Sequence, residues 1–392
     1  MRNYIALAIP FFFVFIAVEL LVARAKKRHV YRLGDAVTDL SCGIQQQVLL
    51  VFERAAQAAV YAWAYEHRLA TLPAWADWLL AWVGVDFIYY FWHRASHEVN
   101  FLWAANVVHH QSEDYNLAVA LRQSILTGWT SLAFYLPLAF AGVSLPAFAT
   151  AVAFSTLYQF WIHTELVGKV RGPIDWILNL PSHHRVHHAI NPRYLDKNYG
   201  AILIVWDRLF GTYAEEIEAP VFGITKPLAS YNPLWAQIHY WFDMAHMARR
   251  AHGADKLRVL WKSPAWKPRG QELPPPAEIT PAQFVKYDPK LTRARGVRAR
   301  AVRGARRGDV RDRDVGIEHP APGASRRRDR DHRHGALGRR DRREQALGDP
   351  RRGRAPRDRG GGDRPMVQDG MTLRRVRGSS PLPLPLRSGV FT

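Results

Sequence analysis

The chain alternates long apolar blocks with polar ones, rather than switching every second residue as half-buried strands do. Residues 3–22 are nearly all apolar, broken only by Pro10 and Glu19, and about 20 such residues cross a bilayer. A second block covers 36–65, interrupted by Gln45-Gln46-Gln47 and Glu53-Arg54. A third runs from Trp75 to Trp92; after a polar stretch, 94–123, a fourth covers 125–142. Gly142 to Pro146 make a turn into a fifth, 147–162. Residues 165–260 mix polar and aromatic positions and read as a layer packed on the membrane surface. The pattern predicts an all-α fold: a polytopic transmembrane helical bundle of about four to five spans with a cytoplasmic, histidine-rich layer.

Charge sets the orientation. Arg24-Ala25-Lys26-Lys27-Arg28 follows the first block and marks its end as cytoplasmic. Ala23-Arg24-Ala25 loosely fits a signal-peptide cleavage site, but only Arg2 precedes the apolar run, which favours an uncleaved anchor. Two hairpins then return the chain to the cytoplasm at His93 and at His163. Trp75, Trp78, Trp82, Trp92, Trp103, Trp129 and Trp161 lie near span ends, as interfacial belts do.

Composition divides the chain more sharply than hydropathy. Residues 291–392 hold 28 Arg, no Lys and 12 acidic residues, a net of 28 − 12 = +16, leaving 20 − 16 = +4 for the first 290. They contain no Trp or Tyr. A disordered basic tail is one reading. Arginine without lysine at 28 positions fits GC-rich codons read out of frame better, and a frameshift near Lys290–Arg293 is the preferred reading. Nucleic-acid binding is not inferred from it. The expected organisation is a membrane-embedded domain, 1–262, a Pro-rich linker, 263–290, and the Arg-rich segment, 291–392. Cys42 is the only cysteine, which excludes disulfide frameworks and multi-cysteine metal sites.

The candidate chemistry lies at the span ends. Nine of the 17 histidines fall in four clusters: His93 and His97; His109 and His110; His163; and His183, His184, His187 and His188. Residues three or four apart on a helix share a face, so His93/His97, His183/His187 and His184/His188 each present two rings together. Histidine is the commonest metal ligand side chain. Four clusters at one membrane depth point to a polynuclear metal centre, since nine buried rings without metal or partners would be costly. The bland alternative is ordinary interfacial polarity. His239 and His246 are lesser candidates for ligand or supporting roles, and the remaining histidines read as solvated or interfacial. Paired axial histidines of a haem carrier do not need this many rings.

His93-x3-His97, x2-His109-His110 and His184-x2-His187-His188 resemble the fatty acid hydroxylase/sterol desaturase superfamily of membrane di-iron oxygenases. The stretches His97–Asn100, Ser112–Leu117, Ala120–Ser124, Tyr158–Glu165, Pro181–His188, Asp196–Tyr199, Trp206–Thr212 and Gly223–Thr225 bring it closer to alkylglycerol monooxygenase-like proteins. The resemblance covers roughly residues 35–235. It implies two Fe ions that activate O2 and hydroxylate a lipid C–H, with tetrahydrobiopterin as electron source in the alkylglycerol group. There, oxygen enters beside the ether oxygen and the hemiacetal falls apart to an aldehyde and a glycerol.

On that resemblance the metal ligands are His93, His97, His109, His110, His184, His187 and His188, with His163 and His183 added. Glu98 is expected to be catalytic, as a metal ligand, an acceptor supporting a ligand or a pterin contact, with a plain surface carboxylate as the alternative. Tyr115, Asn116, Arg122 and Gln123 are expected to line the cofactor or substrate site, with a lipid-headgroup or structural contact as the alternative for Arg122. Glu165, Asp114 and Asp196 are candidate carboxylates fixing imidazole tautomers. The expected partners are the bilayer, a lipid substrate and an electron donor, whether pterin, ferredoxin or cytochrome b5. One position departs: the pattern expects His where Asn106 stands. A weak amide ligand, an inactive site and a single-base change all remain open. Rival functions are a sterol, fatty acyl or carotenoid hydroxylase or desaturase, and an inactive metal-binding homologue.

Overall fold

The structure, a computed structural model, describes residues 4–271 and 279–289. Among them every regular element is helical; backbone pairing outside helices is limited to two isolated bridges, Leu178 with Leu203 and Ala189 with Phe222.

Each apolar block becomes a helix. The first is α1 (Tyr4–Ala25), the second α2 (Leu33–Glu66), and the third α3 (Ala74–Glu98). The fourth and fifth form a hairpin, α5 (Thr127–Phe140) and α6 (Leu145–Trp161). A short α4 (Asn100–His110) lies between the third and fourth blocks. Ser144 caps α6 by accepting from Ala147 N, and Pro146 sits in its first turn, where its missing N–H costs nothing.

Lengths qualify the spanning prediction. Only α1 among the described residues is by itself both long and apolar enough to cross a membrane. At 1.5 Å per residue, α5 and α6 reach about 21 and 26 Å, short of a hydrocarbon core of about 30 Å. Their turn nevertheless meets the α2–α3 loop: Leu69 N donates to Phe140 O at 2.7 Å. Gly142 there has φ +99° and would drive a Cβ to 2.3 Å from Ala70 O, so glycine alone suits it. The core between these helices packs Ala81, Val85, Tyr135, Leu138, Val143, Ala147 and Ala151, all buried.

Beside this bundle, four short helices and a longer one build a polar layer. They are α7 (Pro173–Ile177), α8 (Pro181–His187) and α9 (Val205–Phe210), then α10 (Pro233–Arg250) and α11 (Asp255–Trp261). Charged residues inside the apolar helices tie the two parts together. Asp86 of α3 accepts from Ile202 N and Trp206 Nε1, both at 2.8 Å. Glu19 of α1 accepts from Leu117 N at 2.8 Å and from the hydroxyls of Tyr31 and Thr164.

Part of the predicted linker is engaged as well. Tyr287 N donates to Glu113, its carbonyl accepts from Arg32 and Tyr231, and Lys286 pairs with Asp114. The Arg-rich segment 291–392 lies outside the described residues.

Candidate metal centre

Eight of the nine clustered histidines fold into two sets of four. His93, His97, His110 and His187 form one, and His109, His163, His184 and His188 the other; within each set the ligand atoms lie within 4.8 Å of one another. Seven of the eight residues are buried and His109 nearly so.

Helix geometry explains the partition. His93 and His97 are one turn apart at the end of α3 and enter the same set, as do His184 and His188 around α8. Adjacent residues diverge by about 100° on a helix. His109 and His110 at the end of α4 therefore feed different sets, as do His187 and His188. α4 and α8 thus straddle both sets, which adjoin where His110 and His188 stack at 4.4 Å. His163 reaches the second set from the end of α6.

In the second set the Nε2 atoms converge: His163 is 3.2 Å from His109 and 3.0 Å from His184, and His188 is 3.2 Å from His184. In the first set the buried Nε2 atoms of His97, His110 and His187 have no hydrogen-bond partner.

The opposite ring nitrogens explain this. Nδ1 of His93 faces Tyr199 O at 2.8 Å, His109 faces Arg122 O at 2.9 Å, His163 faces Gln159 O at 2.7 Å and His187 faces Lys197 O at 3.0 Å. A carbonyl only accepts, so each of these Nδ1 atoms carries the proton and leaves an Nε2 lone pair aimed inward. Burial pushes the imidazoles well below their ordinary range, His93 to about 3 and His109 to about 4, so they remain neutral. Convergent neutral lone pairs in a dry site fit a metal ion, and imidazole suits Fe, Zn, Cu or Ni. For these four rings the supporting group is a backbone carbonyl, and of the expected carboxylates only Asp196 approaches a ring nitrogen. Asp114 is paired with Arg32 and Lys286, Glu165 with Arg28, and Asp196 lies 4.0 Å from His97 Nδ1 with 57% of its side chain exposed.

The other sequence-predicted residues divide. His183 stands outside both sets, because its Nε2 pairs with Asp175 at 3.0 Å and its Nδ1 accepts from Leu180 N. Glu98 faces outward to Arg94 at 2.9 Å. Tyr115 borders the second set, with ring centroids 5.3 Å from His188 and 5.7 Å from His163. Asn116 is consumed by backbone bonds to Val30 and Ala118. Arg122, fully buried, spends its guanidinium on Val108 O, Asp39 and Gln111. Gln123 bonds Ala120 O beside His109. Asn106 is buried with its amide nitrogen unpartnered. His239 packs on Gln111 and Ala236, away from both sets.

Sequence reasoning missed what holds the carbonyl acceptors. Asp207 accepts from Tyr199 N and Gly200 N, both at 2.7 Å, and from Thr212 at 2.7 Å. Asp196 and Asn198 take left-handed φ of 58° on either side of Lys197. The carboxylate of Asp207, beside Arg208 in the otherwise apolar stretch Ile202–Phe210, was the available signal.

A fatty acid hydroxylase family model matches residues 78–212, the segment that supplies all eight histidines and most of their supports. The chain is 41% identical to an alkylglycerol monooxygenase of Xenopus tropicalis over 295 residues, 74% of this chain and 66% of that one. With the human alkylglycerol monooxygenase identity is 42% over 272 residues, 68% of this chain and 60% of that one.

The chain belongs to the fatty acid hydroxylase superfamily.

This hydroxylase-family chain spans about 60–66% of the length of those curated relatives. It is also 30% identical over 136 residues to an ornithine lipid hydroxylase of Rhizobium tropici, 34% of this chain and 41% of that one. No solved structure matches it.

Proposed function

We propose that this protein is a membrane-embedded di-iron monooxygenase that hydroxylates a lipid C–H bond, with an ether-linked alkyl lipid as substrate. The two adjoining four-histidine sets carry the reading. The relatives named alkylglycerol monooxygenase support the substrate class. The balance is one C–H plus O2, two electrons and two protons, giving C–OH and water. On an ether α-carbon the product is a hemiacetal, which separates into an aldehyde and a glycerol. A reduced pterin or a small redox protein supplies the electrons.

Two irons, held by His93, His97, His110 and His187 and by His109, His163, His184 and His188, would supply O2 activation. The chain's own work is orientation and exclusion of water. Backbone carbonyls hold protons at Nδ1 of four imidazoles, and burial keeps the rings neutral. Tyr115 donates to Ile162 O at 3.1 Å and screens the second set. For the membrane, α1 crosses, α2 and α3 form a second excursion, and the α5–α6 hairpin enters from the same side. The histidines then lie at the cytoplasmic surface.

Asn106 favours a second reading, an inactive homologue. Against it, each set reaches four imidazoles without that position. Metal analysis of the purified protein beside Asn106→His decides between them. About two irons per chain in both forms, with O2 uptake on adding an alkylglycerol and tetrahydrobiopterin, is expected. Little metal in the native form, restored in the variant, would establish the inactive homologue.

A further inference from the structure

Two cavities meet at the turn that follows His163. The first, about 520 Å³, runs along α1 from Ala8 to Val22 and is closed by Leu157, Phe160 and Trp161 of α6. Its only ionisable lining group is Glu19, already bonded to Leu117 N, Tyr31 and Thr164. The 15 residues from Ala8 to Val22, about 1.5 Å apart along the axis, give a groove about 21 Å long, the length of a long alkyl chain.

The second cavity, about 440 Å³, is lined by Arg28, Arg185 and Lys286 against Glu165 and Glu216. Val167 lines both. The dividing turn, 164–168, is fixed: Arg185 donates to Thr164 O at 3.0 Å and to Val167 O at 2.8 Å while gripping Glu216 with two bonds of 2.7 Å. Arg185 is therefore spent. Arg28 and Lys286 are not: each makes one ion pair, with Glu165 and Asp114, and their side chains are 51% and 38% exposed. The floor is Phe222, stacked on Tyr115 at 4.6 Å, and Tyr115 in turn borders His163 and His188.

We propose that the two cavities together bind one single-tailed lipid carrying a phosphate in its head group, its alkyl chain along α1 and its phosphate between Arg28 and Lys286. The inference rests on the lipid-oxygenase reading and deepens it. The apolar groove takes only the tail, because its one carboxylate is already satisfied. The two adjustable cations at the other end complement an anion. The junction of tail and head then lies at the turn that follows His163, with Phe222 and Tyr115 between it and the second histidine set.

The test measures binding rather than turnover. A fluorescent-tailed 1-O-alkylglycerol 3-phosphate is bound to the metal-loaded protein in detergent micelles. It is displaced with 1-O-hexadecylglycerol 3-phosphate, 1-O-hexadecylglycerol and their decyl analogues. The hexadecyl phosphate should compete roughly tenfold better than the neutral hexadecyl lipid. Arg28→Gln and Lys286→Gln should each shrink that preference while leaving the neutral lipid's affinity intact, and Arg28→Lys should keep it. Ala8→Trp, at the far end of the groove, should weaken the hexadecyl lipids and spare the decyl ones. Equal competition by phosphate and neutral lipids, a preference surviving in the Arg28→Gln/Lys286→Gln double variant, or an Ala8→Trp effect blind to chain length would each overturn the proposal. Lipid-dependent O2 uptake without the phosphate preference would retain the oxygenase reading and discard this site. The preference without O2 uptake would do the reverse.

Discussion

His183 and His184 are neighbours in sequence and opposites in role. Their side chains leave a short helix about 100° apart. His184 points its Nε2 at His163, 3.0 Å away, whereas His183 is paired with Asp175. His184→Ala should reduce bound metal from about two per chain to about one, and His183→Ala should leave it at two; metal analysis of both variants checks this. Equal losses would place His183 among the ligands. Asp207→Ala makes a different kind of demand. It strands the N–H groups of Tyr199 and Gly200, at a cost on the order of 3 kcal/mol. It also loosens the carbonyls that face His93 and His187. A lowered Tm together with loss of metal from the first set is the expected result. A variant that melts earlier but retains both metals would confine Asp207 to folding.

Single positions act here through whole elements. Gly43 of α2 lies against the 3-10 turn Val119–Leu121, where a Cβ would sit 2.3 Å from Leu121 O. Arg122, the next residue, offers its carbonyl to His109. Gly43→Val should cost about 1–3 kcal/mol by overpacking. It should also weaken metal binding at the second set more than at the first, measured by metal retention under graded chelation; equal loss would refute the coupling. The hydrophobic pattern foretold α1, α2, α3, α5 and α6 well, because burial in any apolar medium demands long apolar runs. It said less about α8, whose seven residues are too few for periodicity to show. Of these helices only α1 is by itself long and apolar enough to cross a membrane.

At the scale of the molecule, all eight converging histidines and all four carbonyls facing them fall between His93 and Tyr199. Removing residues 290–392 should therefore leave metal content unchanged and lower the Tm by no more than a few degrees, provided the segment through Tyr287 is retained. Loss of metal on this truncation would show that the Arg-rich segment supports the centre. Chelation should lower the Tm of native and truncated chains alike, since an ion bound only by the folded state stabilises it.

The sequence by itself determined that histidines cluster at the ends of apolar blocks and which superfamily the chain belongs to. Spacing along a helix and the chemistry of imidazole are local properties. Tertiary structure alone decided the rest. It sorted the rings into two sets, turned His183 and Glu98 away, and set backbone carbonyls against four of the rings. It also consumed Arg122 and Asn116 in buried bonds. Those outcomes depend on how α3, α4, α6 and α8 meet and on where the loop 196–204 is pinned. No residue spacing encodes the direction in which a side chain finds its partner across the fold.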